Sequence, residues 1–170
     1  MSLKLYHPLP NLYTALNAGI GQFYGEHPEI YQPIGLKAHN GLDLPSPEGT
    51  PVLACADGYL AEATSKDTGY GLRVCIATPV DNNLAVHIYG HFKSITVSEK
   101  AWDLTSGQAI KRGQVIGYVD STGFSTGNHL HLGLYFYDKF NNKMFADNGY
   151  GGTVDPLPYL QMPSNMIIIK

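Results

Sequence analysis

The sequence has little charge and no long hydrophobic run, and each shortage excludes a class of protein. Charged residues make up 15% of the chain and the formal net charge is −3 at pH 7, so the sequence lacks the basic surface that nucleic-acid binding requires. Apolar runs stay well short of the roughly 20 residues that span a bilayer. Because residues 1–4 lack the charged head and apolar run of a signal peptide, we expect none at this end.

Cysteine is also scarce. The two cysteines, Cys55 and Cys75, form no Cys-x-x-Cys pair, which argues against a disulfide framework or a cysteine zinc site. Each lies in an apolar run, so both are predicted to be buried, unreactive thiols.

Glycine, proline and tyrosine are abundant, with 19, 11 and 12 residues respectively among 170. This composition favours a mainly β protein with many turns, and the length suits one domain. Three parts are predicted: an irregular lead-in at residues 1–34 packed on the domain, the domain itself at residues 35–160, and a tail at residues 161–170. A short helix is expected at residues 11–18, and an edge strand or docking segment at residues 166–169. His7 and His27, both in the lead-in, are predicted to face solvent.

Short apolar runs separated by turn residues predict the strands. The runs at 51–56 and 59–64 flank Asp57-Gly58, which predicts a hairpin. The runs at 72–77 and 84–89 flank a polar turn at 81–83, which predicts a second hairpin. Residues 114–119 and 129–137 supply two more strands. Without an intervening helical period, this spacing predicts an antiparallel sheet, sandwich or barrel.

Histidine and aspartate side chains recur in informative places. His39 and Asp43 are four residues apart, so in an extended segment they project to one face, and Gly41 would let the backbone bend to bring them together. His129 and His131 alternate on a predicted strand and therefore share a face. Taken singly, each pair is also compatible with a solvated loop or an exposed polar face. His91, at the end of an apolar strand, could be a hydrogen-bonded rim residue, and His87 is predicted to be an ordinary sheet residue.

The combination of these residues predicts a metal site. Catalytic zinc generally has three protein ligands drawn from histidine and carboxylate, with one position left for water. His39, Asp43 and one of the paired histidines would supply that set. The remaining histidine and His91 would then be available to handle protons during hydrolysis of an amide.

At these residues the sequence resembles the lysostaphin-type, or LytM-type, zinc metallopeptidases that cleave peptidoglycan cross-links. The resemblance extends over residues 35–160 and is carried by motifs in the family's order. They are His-Asn-Gly-Leu-Asp-Leu-Pro at 39–45, Pro-Glu-Gly-Thr-Pro-Val at 47–52, Ala-Asp-Gly at 56–58, Gly-Tyr-Gly at 69–71, Tyr-Gly-His at 89–91, Gly-Gln-Val-Ile-Gly at 113–117, Ser-Thr-Gly-Asn-His-Leu-His at 125–131 and Asp-Pro-Leu-Pro-Tyr-Leu at 155–160.

The resemblance implies one zinc ion held by His39, Asp43 and His131, with His91 and His129 as catalytic histidines. It also implies a central antiparallel sheet of the lysostaphin or duplicated-hybrid-motif type, with loops that form an active-site groove. The expected activity is endopeptidase cleavage of cross-links or stem peptides of bacterial peptidoglycan. Tyr24 and Tyr31 are both candidates for the family's groove tyrosine, because residues 19–38 align poorly. Leu132-Gly133-Leu134 departs from the family's aromatic-acid-apolar run, which changes the wall of the groove and not the ligand set.

A catalytically silent module of the same fold, binding the cell wall or serving as part of a virion, is the alternative. All five metal and catalytic positions are filled, which favours the enzyme. A wall hydrolase without a signal peptide would fit a protein carried on a phage particle or released at lysis, or a trimmed segment of a secreted protein. Its expected partner is the peptide of bacterial peptidoglycan, and a protein carried on a phage particle would also have the other components of that particle as assembly partners.

Overall fold

The structure, a computed structural model, describes residues 3–10, 20–66 and 68–161. Within these ranges the chain forms mostly strands, as the composition predicts, arranged in sheets of six, three and two strands. The strands are β1 (Leu5–Tyr6), β2 (Leu42–Pro45), β3 (Pro51–Leu53), β4 (Gly58–Thr64), β5 (Arg73–Val80), β6 (Asn83–Gly90), β7 (Phe92–Ile95), β8 (Ala109–Ile110), β9 (Val115–Val119), β10 (His129–Tyr137) and β11 (Leu160–Gln161). The helical segments are a one-turn α-helix at Pro28–Tyr31 and 3-10 turns at Gln32–Ile34 and Leu157–Tyr159.

The largest sheet is antiparallel throughout and has the strand order β2-β10-β6-β5-β4-β8. The predicted hairpin around residues 81–83 is confirmed, because β5 and β6 pair as far as Val80 opposite Asn83. Asp81 in the turn has a φ of 52°, a conformation that aspartate tolerates better than most residues. The strands predicted at 114–119 and 129–137 are also present, as β9 and β10.

The hairpin predicted at Asp57-Gly58 is wrong. β3 pairs with β9 in the three-stranded sheet β3-β9-β7, whereas β4 pairs with β5 and β8 in the large sheet. The chain therefore passes from one sheet to the other here. Gly58 is the first residue of β4, and an added Cβ there would lie 2.4 Å from the Ala77 carbonyl oxygen, so the glycine permits a close approach between β4 and β5.

The main core contains the inward face of the large sheet. Leu130 and Leu132 of β10 are buried in this core, as the alternation around His129 and His131 predicts. Leu5, Leu9 and Ile20, which precede residue 35, belong to the same buried cluster. β1 pairs in parallel with β11, so the chain's early and late parts meet. The helix predicted at 11–18 and the segment at 166–169 lie outside the described residues.

Of the other predictions for single residues, some are confirmed and one is wrong. Both cysteines are buried and unpaired, and burial raises the pKa of Cys55 to about 12, as expected for an unreactive thiol. His27 is exposed, but the prediction that His7 faces solvent is wrong. His7 lies between the buried Leu5 and Leu9, its Nε2 atom is buried, and burial lowers its pKa. Among the described residues, no helix is long and apolar enough to cross a membrane.

Candidate metal centre and catalytic cleft

Three candidate ligands that are distant in sequence meet where β2 lies beside β10. His131 is directly opposite Asp43 in the register of these strands, and His39 lies shortly before β2. Asp43 Oδ1 is 2.9 Å from His131 Nδ1 and 3.1 Å from His39 Nε2. The two histidine nitrogens are 3.2 Å apart, so the three atoms form a compact triangle.

The donor set fits a zinc ion. Tetrahedral zinc with bonds of about 2.0–2.1 Å separates its ligand atoms by about 3.3 Å, close to the spacing of this triangle. His39 Nδ1 lies 3.0 Å from the Phe23 carbonyl oxygen, which can only accept, so the ring donates there and keeps its Nε2 lone pair for a metal. Burial of Asp43 alone would raise its pKa, but its contacts with the His131 and His39 rings outweigh burial and hold the pKa well below its usual range. The three residues would therefore present one carboxylate charge and two imidazoles to a bound cation.

The two candidate catalytic histidines stand beside this triangle. His91 has a φ of 66° at the junction of β6 and β7, and its Nδ1 donates to the Thr122 carbonyl oxygen at 2.6 Å. His129 Nδ1 donates to the Gly127 carbonyl oxygen at 2.7 Å. In its neutral form, each ring therefore has its lone pair on Nε2. The two ring centroids are 4.7 Å apart.

The electrostatic surroundings keep His91 neutral. Burial, followed by the neighbouring His131 and His129, lowers the pKa of His91 to about 4. At pH 7 this imidazole can accept a proton. His129 Nε2 is 3.5 Å from Asp43 Oδ1, so the second imidazole lies next to the carboxylate of the triangle.

All five residues line one cleft of about 380 Å³. Its rim carries the large apolar side chains of Ile30, Ile34 and Phe124, which are about half exposed. Of the two tyrosines considered for the groove, Tyr31 lines the cleft, with its ring centroid 5.3 Å from that of His39. Tyr24 instead donates to the Thr153 carbonyl oxygen and packs against Tyr150.

Sequence reasoning did not identify the roles of two supporting residues. Gly41 was expected to bend the backbone, but the structure shows a different reason for the glycine. A side chain would not fit here, because an added Cβ would lie 2.6 Å from the His131 ring. Tyr70, noted only as part of a Gly-Tyr-Gly motif, has its ring centroid 5.1 Å from that of His131, and its hydroxyl accepts from Asn40 Nδ2 at 2.7 Å. Gly69 and Gly71, which both have positive φ, mark a turn around Tyr70, but only the tertiary contacts identify its neighbour.

Comparison with known proteins points to one family. The sequence profile of peptidase family M23 matches residues 37–144. The DD-carboxypeptidase/endopeptidase Mpg of Neisseria meningitidis is 35% identical over 122 residues, which cover 72% of this chain and 24% of that protein. The glycyl-glycine endopeptidase ALE-1 of Staphylococcus capitis is 33% identical over 145 residues, which cover 83% of this chain and 33% of that protein. The chain thus spans a quarter to a third of the length of these curated relatives.

Solved structures agree on the fold. The catalytic domain of the prophage-encoded M23 protein EnpA from Enterococcus faecalis superposes with a TM-score of 0.58 at 29% identity, covering 82% of this chain and 89% of that one. The catalytic domain of lysostaphin from Staphylococcus simulans gives a TM-score of 0.58 at 27% identity, covering 85% of this chain and 93% of that one. The mainly β fold with a central antiparallel sheet is therefore shared with these domains.

Proposed function

The chain belongs to peptidase family M23, and from this membership we propose that it is a zinc metalloendopeptidase that hydrolyses peptide bonds of bacterial peptidoglycan. His39, Asp43 and His131 would hold one zinc ion, and His91 and His129 would be the catalytic histidines. The observation that carries the proposal is the triangle of ligand atoms, with sides of 2.9–3.2 Å, inside a cleft that both remaining histidines also line.

The residues of the cleft would have different roles in hydrolysis. The chemistry that a bound zinc ion supplies is Lewis acidity toward the attacking water and the scissile carbonyl. His91 and His129, each with Nδ1 held by a backbone carbonyl, present Nε2 to accept a proton from water and to return it to the departing amine. The Asp43 charge would hold the cation, and its Oδ1 lies 3.5 Å from His129 Nε2.

The substrate class is supported by the relatives' names. A glycyl-glycine endopeptidase and a DD-carboxypeptidase/endopeptidase both act on peptide bonds, and lysostaphin shares the fold. We infer that the present chain acts on the cell wall, with peptidoglycan peptide as its partner. Similarity to a prophage-encoded M23 protein also supports the hypothesis that a phage carries or releases it.

Metal analysis combined with digestion of defined muropeptides tests the proposal. The parent should contain about one zinc per chain and release new amines. His131→Ala should lose both zinc and cleavage, because it removes a ligand. His91→Ala and His129→Ala should keep zinc while turnover falls about 10²–10⁴-fold. His27→Ala, at an exposed histidine outside the cleft, is the matched control and should behave like the parent.

Two results would contradict the enzyme. One is a zinc-loaded parent that binds cell walls tightly yet releases no new amine from any muropeptide, which would favour the catalytically silent module. The other is full cleavage by His131→Ala, which would mean that the triangle is not the metal site.

A further inference from the structure

A second cavity, of about 300 Å³, lies next to the catalytic cleft. Tyr70 and Tyr135 line both spaces, so the two cavities adjoin at these side chains. His131, Tyr135 and Tyr137 alternate along β10 and therefore lie on the same face of the sheet. The second cavity thus continues the surface that carries the candidate metal centre.

The walls of this cavity are rich in aromatic rings. The ring centroid of Trp102 is 5.7 Å from that of Tyr137, and that of Tyr135 is 6.3 Å from Tyr137. Trp102, the chain's only tryptophan, is 40% exposed. An exposed large aromatic side chain at a concave surface is typical of a binding site.

The cavity also carries one positive charge without a carboxylate partner. Arg73 and Glu62 neutralise each other through two hydrogen bonds of 2.8 and 3.0 Å. Lys143 Nζ instead lies 4.1 Å from the ring centroid of Tyr135 and donates to the Gly151 carbonyl oxygen at 3.3 Å. No carboxylate in the described ranges forms an ion pair with Lys143, and its burial lowers its pKa.

The catalytic cleft differs in its side-chain charges. Its lining, as far as the structure describes it, contains neither lysine nor arginine. Asp43 contributes the negative charge there. Among the described side chains that line the two cavities, Lys143 is thus the cation available to a substrate carboxylate.

We infer that the second cavity is a substrate subsite for a carboxylate-bearing residue, with Lys143 as its ionic partner and Trp102 against its apolar part. This inference rests on the proposed function. Tyr135 follows His131 by four residues of β10, which is about 13 Å along a strand. A substrate lying extended along the sheet would therefore place its acidic residue about four positions from the scissile bond.

Fluorescence of the single tryptophan tests the subsite directly. The zinc-loaded chain of 170 residues is titrated with acetyl-Ala-Glu-amide and with acetyl-Ala-Gln-amide, and mass spectrometry checks that each peptide stays uncut. The glutamate peptide should give a saturable change, and its affinity should exceed that of the glutamine peptide about tenfold or more. Lys143→Gln should abolish this preference, while Lys139→Gln, at an exposed lysine outside the cavity, should retain it.

Equal responses to the two peptides, no response to either, or a preference that survives Lys143→Gln would overturn the subsite. On cleaved muropeptides, Lys143→Gln should raise KM several-fold for substrates with a free carboxylate and leave kcat unchanged. Because the titration does not require turnover, each of the two proposals can be refuted independently of the other. A protein that prefers the glutamate peptide but cuts nothing refutes the enzyme, and one that cuts muropeptides without this preference refutes only the subsite.

Discussion

At the scale of single residues, Gly41 shows how closely the backbone approaches the candidate metal centre. An added Cβ would lie 2.6 Å from two atoms of the His131 ring and from the Leu132 carbonyl oxygen. Because the Leu132 oxygen belongs to β10, a side chain at residue 41 could be accommodated only by moving the ring or the strand. Either movement would displace His131 Nδ1 from Asp43.

Gly41→Ala should therefore weaken zinc binding about 10–100-fold, as is usual for changes that misorient a metal ligand. Competition with a chromophoric chelator measures the affinity. Gly127→Ala is the control, because a Cβ there meets no other atom within 4 Å. Unchanged zinc affinity in Gly41→Ala would show that His131 is not constrained by this contact.

At the scale of the strand, β6 carries a histidine into the main core. Ala85 and Tyr89 belong to the core cluster, and His87 alternates with them toward the same face. The His87 side chain is fully buried, its Nε2 atom has no hydrogen-bond partner among the described residues, and burial lowers its pKa to about 3. Its Nδ1 lies 3.4 Å from the Tyr89 hydroxyl, which can donate to it.

This histidine should make stability depend on pH. Above its unfolded pKa of about 6.5, His87 is neutral in both states and has no effect. As the pH falls from about 6.5 toward about 3, the unfolded chain binds a proton that the folded chain excludes, so stability is lost at up to about 1.4 kcal/mol per pH unit. His87→Gln removes this titration while keeping an acceptor for Tyr89.

Urea unfolding of parent and His87→Gln at pH 7 and pH 5, with a chelator in all samples, measures the effect. Between these values the parent should lose about 2 kcal/mol more free energy of unfolding than the variant. Since the other titrating groups are common to both proteins, the difference isolates His87. Parallel loss of stability in the two proteins would contradict the prediction.

At the scale of the whole molecule, the core extends beyond the residues that match the family. The profile begins at residue 37, yet Leu5, Leu9 and Ile20 are buried with the large sheet. Leu5 also lies opposite Leu160 in the parallel pair of β1 and β11. We propose that the lead-in folds together with the domain and is not a detachable segment.

Leu5→Ala should then destabilise the entire domain by about 2–5 kcal/mol, the cost of deleting a fully buried leucine side chain. Urea unfolding followed by far-UV circular dichroism measures this loss in one cooperative transition. Lys4→Ala, at the exposed neighbouring residue, should change stability by less than about 0.5 kcal/mol. A Leu5→Ala protein as stable as the parent would show that the lead-in contributes nothing to the domain.

The sequence by itself determined the local features. Turn residues at 81–83 placed one hairpin correctly, and the two-residue period placed His129 and His131 on one face with Leu130 and Leu132 in the core. Such signals depend on neighbours along the chain, so they are readable without a fold. The ordered motifs, likewise, indicated the family that the comparisons support.

Only the tertiary structure decided the long-range features. The register of β10 on β2 sets His131 opposite Asp43 and His129 opposite Pro45, a choice that spacing left open. The same kind of pairing sends β3 and β4 to different sheets, so a strong local hairpin signal at Asp57-Gly58 was overridden. Burial of His7 and of His87 depends on what packs over each ring. These outcomes depend on residues tens of positions away, because strand partners and neighbours are selected by packing of the whole core.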